Sequence, residues 1–207
     1  MKHLLLALAS LGLLSACGSL FQTHEVMPTV YELRAPAPAP AASRRPGTLI
    51  VARARVRPGL ESDRIAVTLA DRRLDAYGGS RWSAPLPEMV GALLIAGLRE
   101  SRGFEAVVPE RSAFGGEFLL QPEIEAFEAD YSQGGAPPTV HVRLGGEFGL
   151  KGERRMLATV TGSADVRAAA DRQREVIAAF ESAYAKAAAE MIAAINAAAD
   201  AAPAAAR

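Results

Sequence analysis

Val140-His141-Val142-Arg143-Leu144-Gly145-Gly146-Glu147-Phe148-Gly149-Leu150 carries the clearest period of two in the chain. Val140, Val142, Leu144, Phe148 and Leu150 fall on one face and His141, Arg143 and Glu147 on the other, the pattern of a strand with one buried side. Lys151-Gly152-Glu153 predicts a turn, and Leu157 to Val166 supplies an antiparallel mate. Upstream, Phe118 to Tyr131 predicts a long strand, with Leu120, Ile124 and Ala126 on one side and Glu123, Glu125 and Phe127 on the other. Pro122 within it marks an edge or a bulge, because proline cannot donate to a ladder. A flexible turn at Gly134-Gly135-Ala136-Pro137-Pro138 leads from this strand to the alternating run.

Outward from these strands the periodicity changes. Asp171 to Ala199 is alanine-rich and carries a stripe at Ile177, Phe180, Tyr184, Ala188, Met191 and Ile195. Steps of three and four give a long helix with one apolar face, and the small residues beside it permit close approach by the sheet or by another subunit. Toward the N-terminus, Arg81-Trp82-Ser83-Ala84-Pro85-Leu86-Pro87 introduces a first helix, with Leu86, Val90, Leu93, Leu94 and Leu98 facing inward and Gly103 as a left-handed stop. Phe104 to Val108 fits a short strand. Thr48 to Val56, Ile65 to Leu69 and Arg72 to Tyr77 read as earlier strands, the first ended by Pro58-Gly59 and the last by Gly78-Gly79. Strands, helix, strands, helix predict an α+β or α/β fold, a mixed and largely antiparallel sheet covered by two helices, the longer one C-terminal.

Met1 to Cys17 belongs to a different solvent. Leu4 to Leu14 spans about 11 residues, roughly 16 Å as a helix, too short for a hydrocarbon core of roughly 30 Å. It fits a secretory signal closed by the lipobox Leu14-Ser15-Ala16-Cys17, which resembles that of bacterial lipoproteins in every position, and the resemblance implies a diacylglycerol thioether and an amide-linked third chain at Cys17. Cys17 is the one cysteine, so it has no disulfide partner, and two or more acyl chains hold a protein stably on a bilayer. By resemblance to enterobacterial sorting, where aspartate at this place favours inner-membrane retention, Gly18 implies the outer membrane, with the protein on its periplasmic face. Residues 1–16 are then the signal peptide and residues 17–47 a lipidated N-terminus. This segment contains a short first strand at Val30 to Leu33 and a Pro/Ala-rich linker or loop from Ala35 to Pro46. If residues 30–33 pair into the sheet, the tract is a loop inside the domain; otherwise the single domain occupies residues 48–200, with residues 201–207 a frayed tail.

Cleavage takes 16 of the 207 residues and leaves 191, enough for one domain with a sizeable core. The 23 basic and 23 acidic residues balance, without a basic block, which gives no electrostatic footprint for nucleic acid. Catalytic constellations are missing: there is no G-x-S-x-G elbow, metal-ligand spacing or calcium loop, and Cys17 is consumed by lipid. No cofactor is expected beyond that covalent lipid, and no enzymatic activity. His141 reads as a solvated strand residue, and Glu123, Glu125, Glu128 and Asp130 as a solvated acidic run. Gly145-Gly146-Glu147-Phe148-Gly149 lacks the strand-then-helix context of a phosphate loop and reads as a place where another backbone approaches or a bulge forms. Trp82, the one tryptophan, reads with Arg81 as a core anchor or a partner contact.

Several of these blocks, in this order, resemble the ABC-type transport auxiliary lipoproteins, the PqiC-like family. They are Tyr31-Glu32-Leu33, Leu49-Ile50-Val51, Val56-Arg57-Pro58-Gly59-Leu60, Arg64-Ile65, Arg81-Trp82-Ser83-Ala84-Pro85-Leu86, Phe118-Leu119-Leu120 with Ile124, and Phe127-Glu128, followed by the closing alanine-rich helix. The resemblance implies a non-enzymatic outer-membrane lipoprotein working with an MCE-domain protein that bridges the periplasm and with an associated ABC transporter. Phospholipids or other hydrophobic compounds would be the cargo, and a homo-oligomeric ring is a family expectation. The alternative is a structural envelope lipoprotein serving assembly or secretion machinery.

Overall fold

The computed structural model describes residues 27–132 and 135–202; the signal segment, Cys17 and His24 lie outside them, as do Gln133, Gly134 and the end of the tail. Among the described residues the elements run β1 (Thr29–Tyr31), β2 (Arg45–Val51), β3 (Arg55–Val56), β4 (Arg64–Thr68), β5 (Leu74–Trp82), α1 (Leu86–Ser101), β6 (Phe104–Pro109), β7 (Phe118–Asp130), β8 (Thr139–Leu150), β9 (Arg155–Arg167) and α2 (Gln173–Ala201). The alternating run forms β8, antiparallel to both β7 and β9 along its whole length. These ladders carry most of the paired residues.

The second edge of β7 is shared by three short strands, all parallel to it: β2 against residues 118–120, β3 against 123–124 and β4 against 129–130. From there the sheet forks. β2 continues to β6 in parallel, while β4 continues antiparallel to β5, which holds β1 in parallel. Both helices pack on one face and bury a single contiguous cluster that includes Leu94, Leu98, Phe127, Phe148, Phe180 and Tyr184. The fold is α+β, with a large mixed sheet, two helices and the longer helix C-terminal.

Because β1 pairs with β5, the Pro/Ala tract is a loop between two strands of one sheet. It lies across the helices: Pro36 fills the space beside Gly97 of α1, and the Ala41 N–H donates to the Ser101 carbonyl at 2.8 Å. The sheet therefore begins at Thr29, ahead of Thr48.

Four local readings are corrected. Gly78-Gly79 does not end a strand; β5 runs on through Arg81 and Trp82, because Gly79 takes φ +66° and lets residues 77–80 bulge out between the paired positions Ala76 and Arg81. Helix α1 stops at Arg102, which itself adopts the left-handed cap at φ 56°, one residue before the expected glycine. Thr48 to Val56 is not one strand but two, β2 and β3, separated by Ala52–Ala54. In β7 a register shift between Ile124 and Ala126 reverses the alternation, so Phe127 joins Leu120 and Ile124 in the core at 1% exposure while Ala126 turns to the other face.

Pro122 sits in the middle of the sheet. The Leu120 and Ile124 carbonyls accept from the Ala52 and Arg57 N–H groups, so residue 122 points its nitrogen toward the same edge. That edge is where the chain between β2 and β3 leaves the ladder, and no donor is needed there.

Candidate functional site

The face of β7–β8–β9 opposite the helices is polar. Arg57 reaches Glu128 at 3.2 Å, Arg55 bridges Glu123 and Glu147 at 3.6 Å each, and Arg143 reaches Asp165 at 3.4 Å. Pairs this exposed contribute little one by one. Glu128 is the exception in burial, at 8%, and its carboxylate also accepts the Phe127 N–H at 2.9 Å.

His141 lies between two carboxylates, Nδ1 at 2.6 Å from Asp165 and Nε2 at 3.4 Å from Asp130. The ring thus links Asp130 of β7 to Asp165 of β9 across β8. Burial pushes the Asp130 carboxyl up, but hydrogen bonds from Ser132 and His141 outweigh it and hold the group below the usual carboxylate range. Among the described residues no group of three or more His, Cys, Asp or Glu side chains is placed to hold a metal ion.

At the hairpin end of this face the sheet opens into a groove of about 820 Å³ between the loop before β7 and the β8–β9 turn. Gly115, Gly116, Gly149 and Gly152 line it, with Leu119, Gln121, Met156 and one carboxylate, Glu147, which is paired with Arg55 at 3.6 Å. Two of the glycines are required by close packing, since a Cβ on Gly149 would strike the Arg155 carbonyl and one on Gly116 the Thr48 carbonyl. The rim is apolar and positive. Met156 is 62% exposed, and Phe114, next to Gly115, is 76% exposed. Arg155 is paired with Glu153 at 3.0 Å, whereas Lys151 and Arg154 have no carboxylate partner among the described residues.

The residues singled out from sequence do not converge here. Cys17 lies outside the described residues. Trp82 is 1% exposed, edge-on to Phe127 and Phe180 at 5.9 and 5.2 Å, while Arg81 points outward to Asp63 at 3.5 Å. Of the glycine block, Gly149 enters the groove, Gly146 lies against the Gln121 backbone and Met191, and Gly145 faces Glu125. Sequence reasoning missed Phe114 and Met156. Met156 shares the even phase of Ala158, Val160 and Val166, which would turn it inward, and the register shift that leaves Leu157 unpaired turns it out instead; Phe114 sits in a loop where no periodicity applies.

The arrangement offers a shallow surface for another macromolecule, with exposed apolar groups and uncompensated cations around a backbone floor. The described helices include none long and apolar enough to cross a membrane. The fold is similar to the crystal structure of protein XCC0632 from Xanthomonas campestris, at 24% identity and a TM-score of 0.73, covering 83% of this chain and 97% of that one. It is also similar to a crystal structure of an uncharacterized protein, at 15% identity and a TM-score of 0.63, covering 82% and 99%. At these identities the likeness is one of fold. No curated protein matches the chain in sequence. Residues 31–192, from β1 into α2, match the family model described as the ABC-type transport auxiliary lipoprotein component, and the chain belongs to that family.

Proposed function

We propose that this protein is the outer-membrane auxiliary of an ABC/MCE-type system that moves lipids or other hydrophobic compounds between membranes. Residues 1–16 are removed as a signal peptide, Cys17 carries diacylglycerol and N-acyl chains, and the folded domain stands on the periplasmic face. Its task is to dock the MCE-domain protein that bridges the periplasm. The family is one of transport auxiliaries and not a known class of enzyme.

The match over residues 31–192 carries the reading. The packing supports docking over carriage of cargo inside the domain. The space between sheet and helices is filled by Trp82, Phe127, Phe180 and Tyr184 at one end and by Phe104, Phe118 and Phe148 at the other. The groove beside Phe114 and Met156 is the docking surface in this reading, and its occupant is the tip of the MCE protein, presenting apolar and acidic residues to Lys151 and Arg154.

Affinity capture of the natively lipidated protein from gently solubilised envelopes, after cross-linking, tests the reading. An MCE-domain protein is expected among the captured proteins, and its recovery should fall at least tenfold with a Phe114→Asp, Met156→Asp double variant. Recovery of only peptidoglycan-linked or secretion components would overturn transport in favour of an envelope scaffold.

A further inference from the structure

The free edge of β6 carries a second feature, independent of the transport reading. A pocket of about 570 Å³ lies along it, lined by Arg44, Arg99, Arg102 and the β6 residues Phe104 to Val107. Arg44 donates Nη2 to the Glu105 carbonyl at 3.1 Å, and Arg99 donates Nε to the Val107 carbonyl at 2.9 Å. Carbonyls two residues apart on a strand point to the same edge, roughly 6.6 Å apart, so the two guanidinium groups are held side by side. Arg102 follows from the cap of α1, fixed in the left-handed conformation.

The surroundings leave these three charges uncompensated. Among the described residues no carboxylate lies within ion-pair distance of Arg44, Arg99 or Arg102. The carboxylate nearest in the lining, Glu105, is turned to the Gly47 N–H at 3.2 Å. Neighbours of Arg44 are treated differently: Ser43 and Arg45 both bond Asp200 at the end of α2, at 2.6 and 3.4 Å, which pins the segment and leaves Arg44 facing the pocket.

Two simpler roles explain part of the arrangement. Arginines at a helix C-terminus complement its dipole, which accounts for Arg99 and Arg102 but not for Arg44 from a separate loop. Arginines bonded to edge carbonyls also discourage strand pairing, which uses one N–H of each. A guanidinium has five donors, and its planar fork matches tetrahedral oxyanions. Arg44, Arg99 and Arg102 are exposed and line one pocket without a carboxylate partner among the described residues, so a tetrahedral anion there would take donors that water otherwise satisfies.

We propose that Arg44, Arg99 and Arg102 form a binding site for a phosphate group, free or carried on a lipid headgroup. The full-length processed protein in neutral detergent micelles would be titrated calorimetrically with inorganic phosphate, with dihexanoyl phosphatidylglycerol, and with dihexanoylglycerol as the phosphate-free control. Saturable binding of at least one phosphate probe is expected, weakened tenfold or more by Arg44→Gln with Arg102→Gln, and unchanged by Arg143→Gln on the opposite side of the sheet. If the double variant fails to fold, Arg44→Gln and Arg102→Gln singly should each weaken binding about threefold. Response to inorganic phosphate alone assigns the site to a soluble anion, to the lipid alone a headgroup, and to both the phosphate group itself. The proposal is overturned if neither phosphate probe binds, if dihexanoylglycerol binds as tightly as phosphatidylglycerol, or if Arg143→Gln weakens binding as much as the pocket variants.

Discussion

Tyr184 places its ring in the core beside Phe127, 6.4 Å between centroids, and its hydroxyl where no donor or acceptor among the described residues reaches it. Burial pushes the phenol's pKa up, so the group is neutral at any physiological pH. A buried hydroxyl without a partner costs about 1–3 kcal/mol in lost hydration. Tyr184→Phe keeps the ring and removes that cost, so the variant should be more stable than the parent by about 1 kcal/mol, read as a higher urea midpoint at unchanged slope. A lower midpoint would mean that the hydroxyl is bonded. The stripe spacing placed Tyr184 on the buried face correctly, since all six stripe residues are buried. It carries no information about whether the phenol oxygen finds a partner, which depends on the residues that α2 is packed against.

At the scale of elements, α2 and β9 touch backbone to backbone. A Cβ on Gly162 would run into the Ala187 carbonyl of α2, so Gly162→Ala must lift the helix from the sheet. Overpacking of this kind costs about 1–3 kcal/mol, and chemical denaturation of the variant should show a loss in that range. Asp130 ties the end of β7 to β8 through His141, and its folded pKa is depressed. A depressed carboxylate adds stability above its unfolded pKa of about 3.9, and that contribution is lost as pH falls through the lower folded value. Asp130→Asn should therefore melt below the parent at pH 7, with the gap closing on acidification below about pH 4; a gap that stays constant with pH would remove the carboxylate's charge from the account. The β8 run is legible because it keeps one phase from end to end, and β9 because it keeps one from Ala158 to Arg167, after the register shift at Leu157. The β7 phase was misread after Ile124, because a single extra residue at Glu125 exchanges the faces and composition does not announce it. Gly78-Gly79 was misread for a related reason: glycines mark a turn or a bulge equally well, and only pairing of Arg81 with Arg64 and of Trp82 with Tyr31 decides between them.

For the whole molecule, the fork in the sheet raises the question of whether its branches unfold together. The candidate groove and the arginine pocket both fell outside what sequence pattern can reach, since each is assembled from loops and edges far apart in the chain, as when Gly115 and Gly149 line one groove or Arg44 bonds the Glu105 carbonyl. The core is different, and it links the branches. Trp82 on the β4–β5–β1 branch packs edge-on against Phe127 of β7 and Phe180 of α2. Phe104 on the β2–β6 branch packs against Phe118 of β7 and Phe148 of β8 at 5.3 and 6.1 Å. Each branch therefore shares apolar contacts with the antiparallel strands, and neither has a core of its own. Removing one branch would expose the aromatic side chains of the rest, which predicts a single cooperative transition. Trp82 is the one tryptophan and reports on its own branch, while far-ultraviolet circular dichroism reports on the sheet and helices together. In urea the two signals should give coincident curves with the same midpoint. A fluorescence transition at lower urea than the dichroism would show the β4–β5–β1 branch separating first, and would make it, and not β7, the independent unit of the fold.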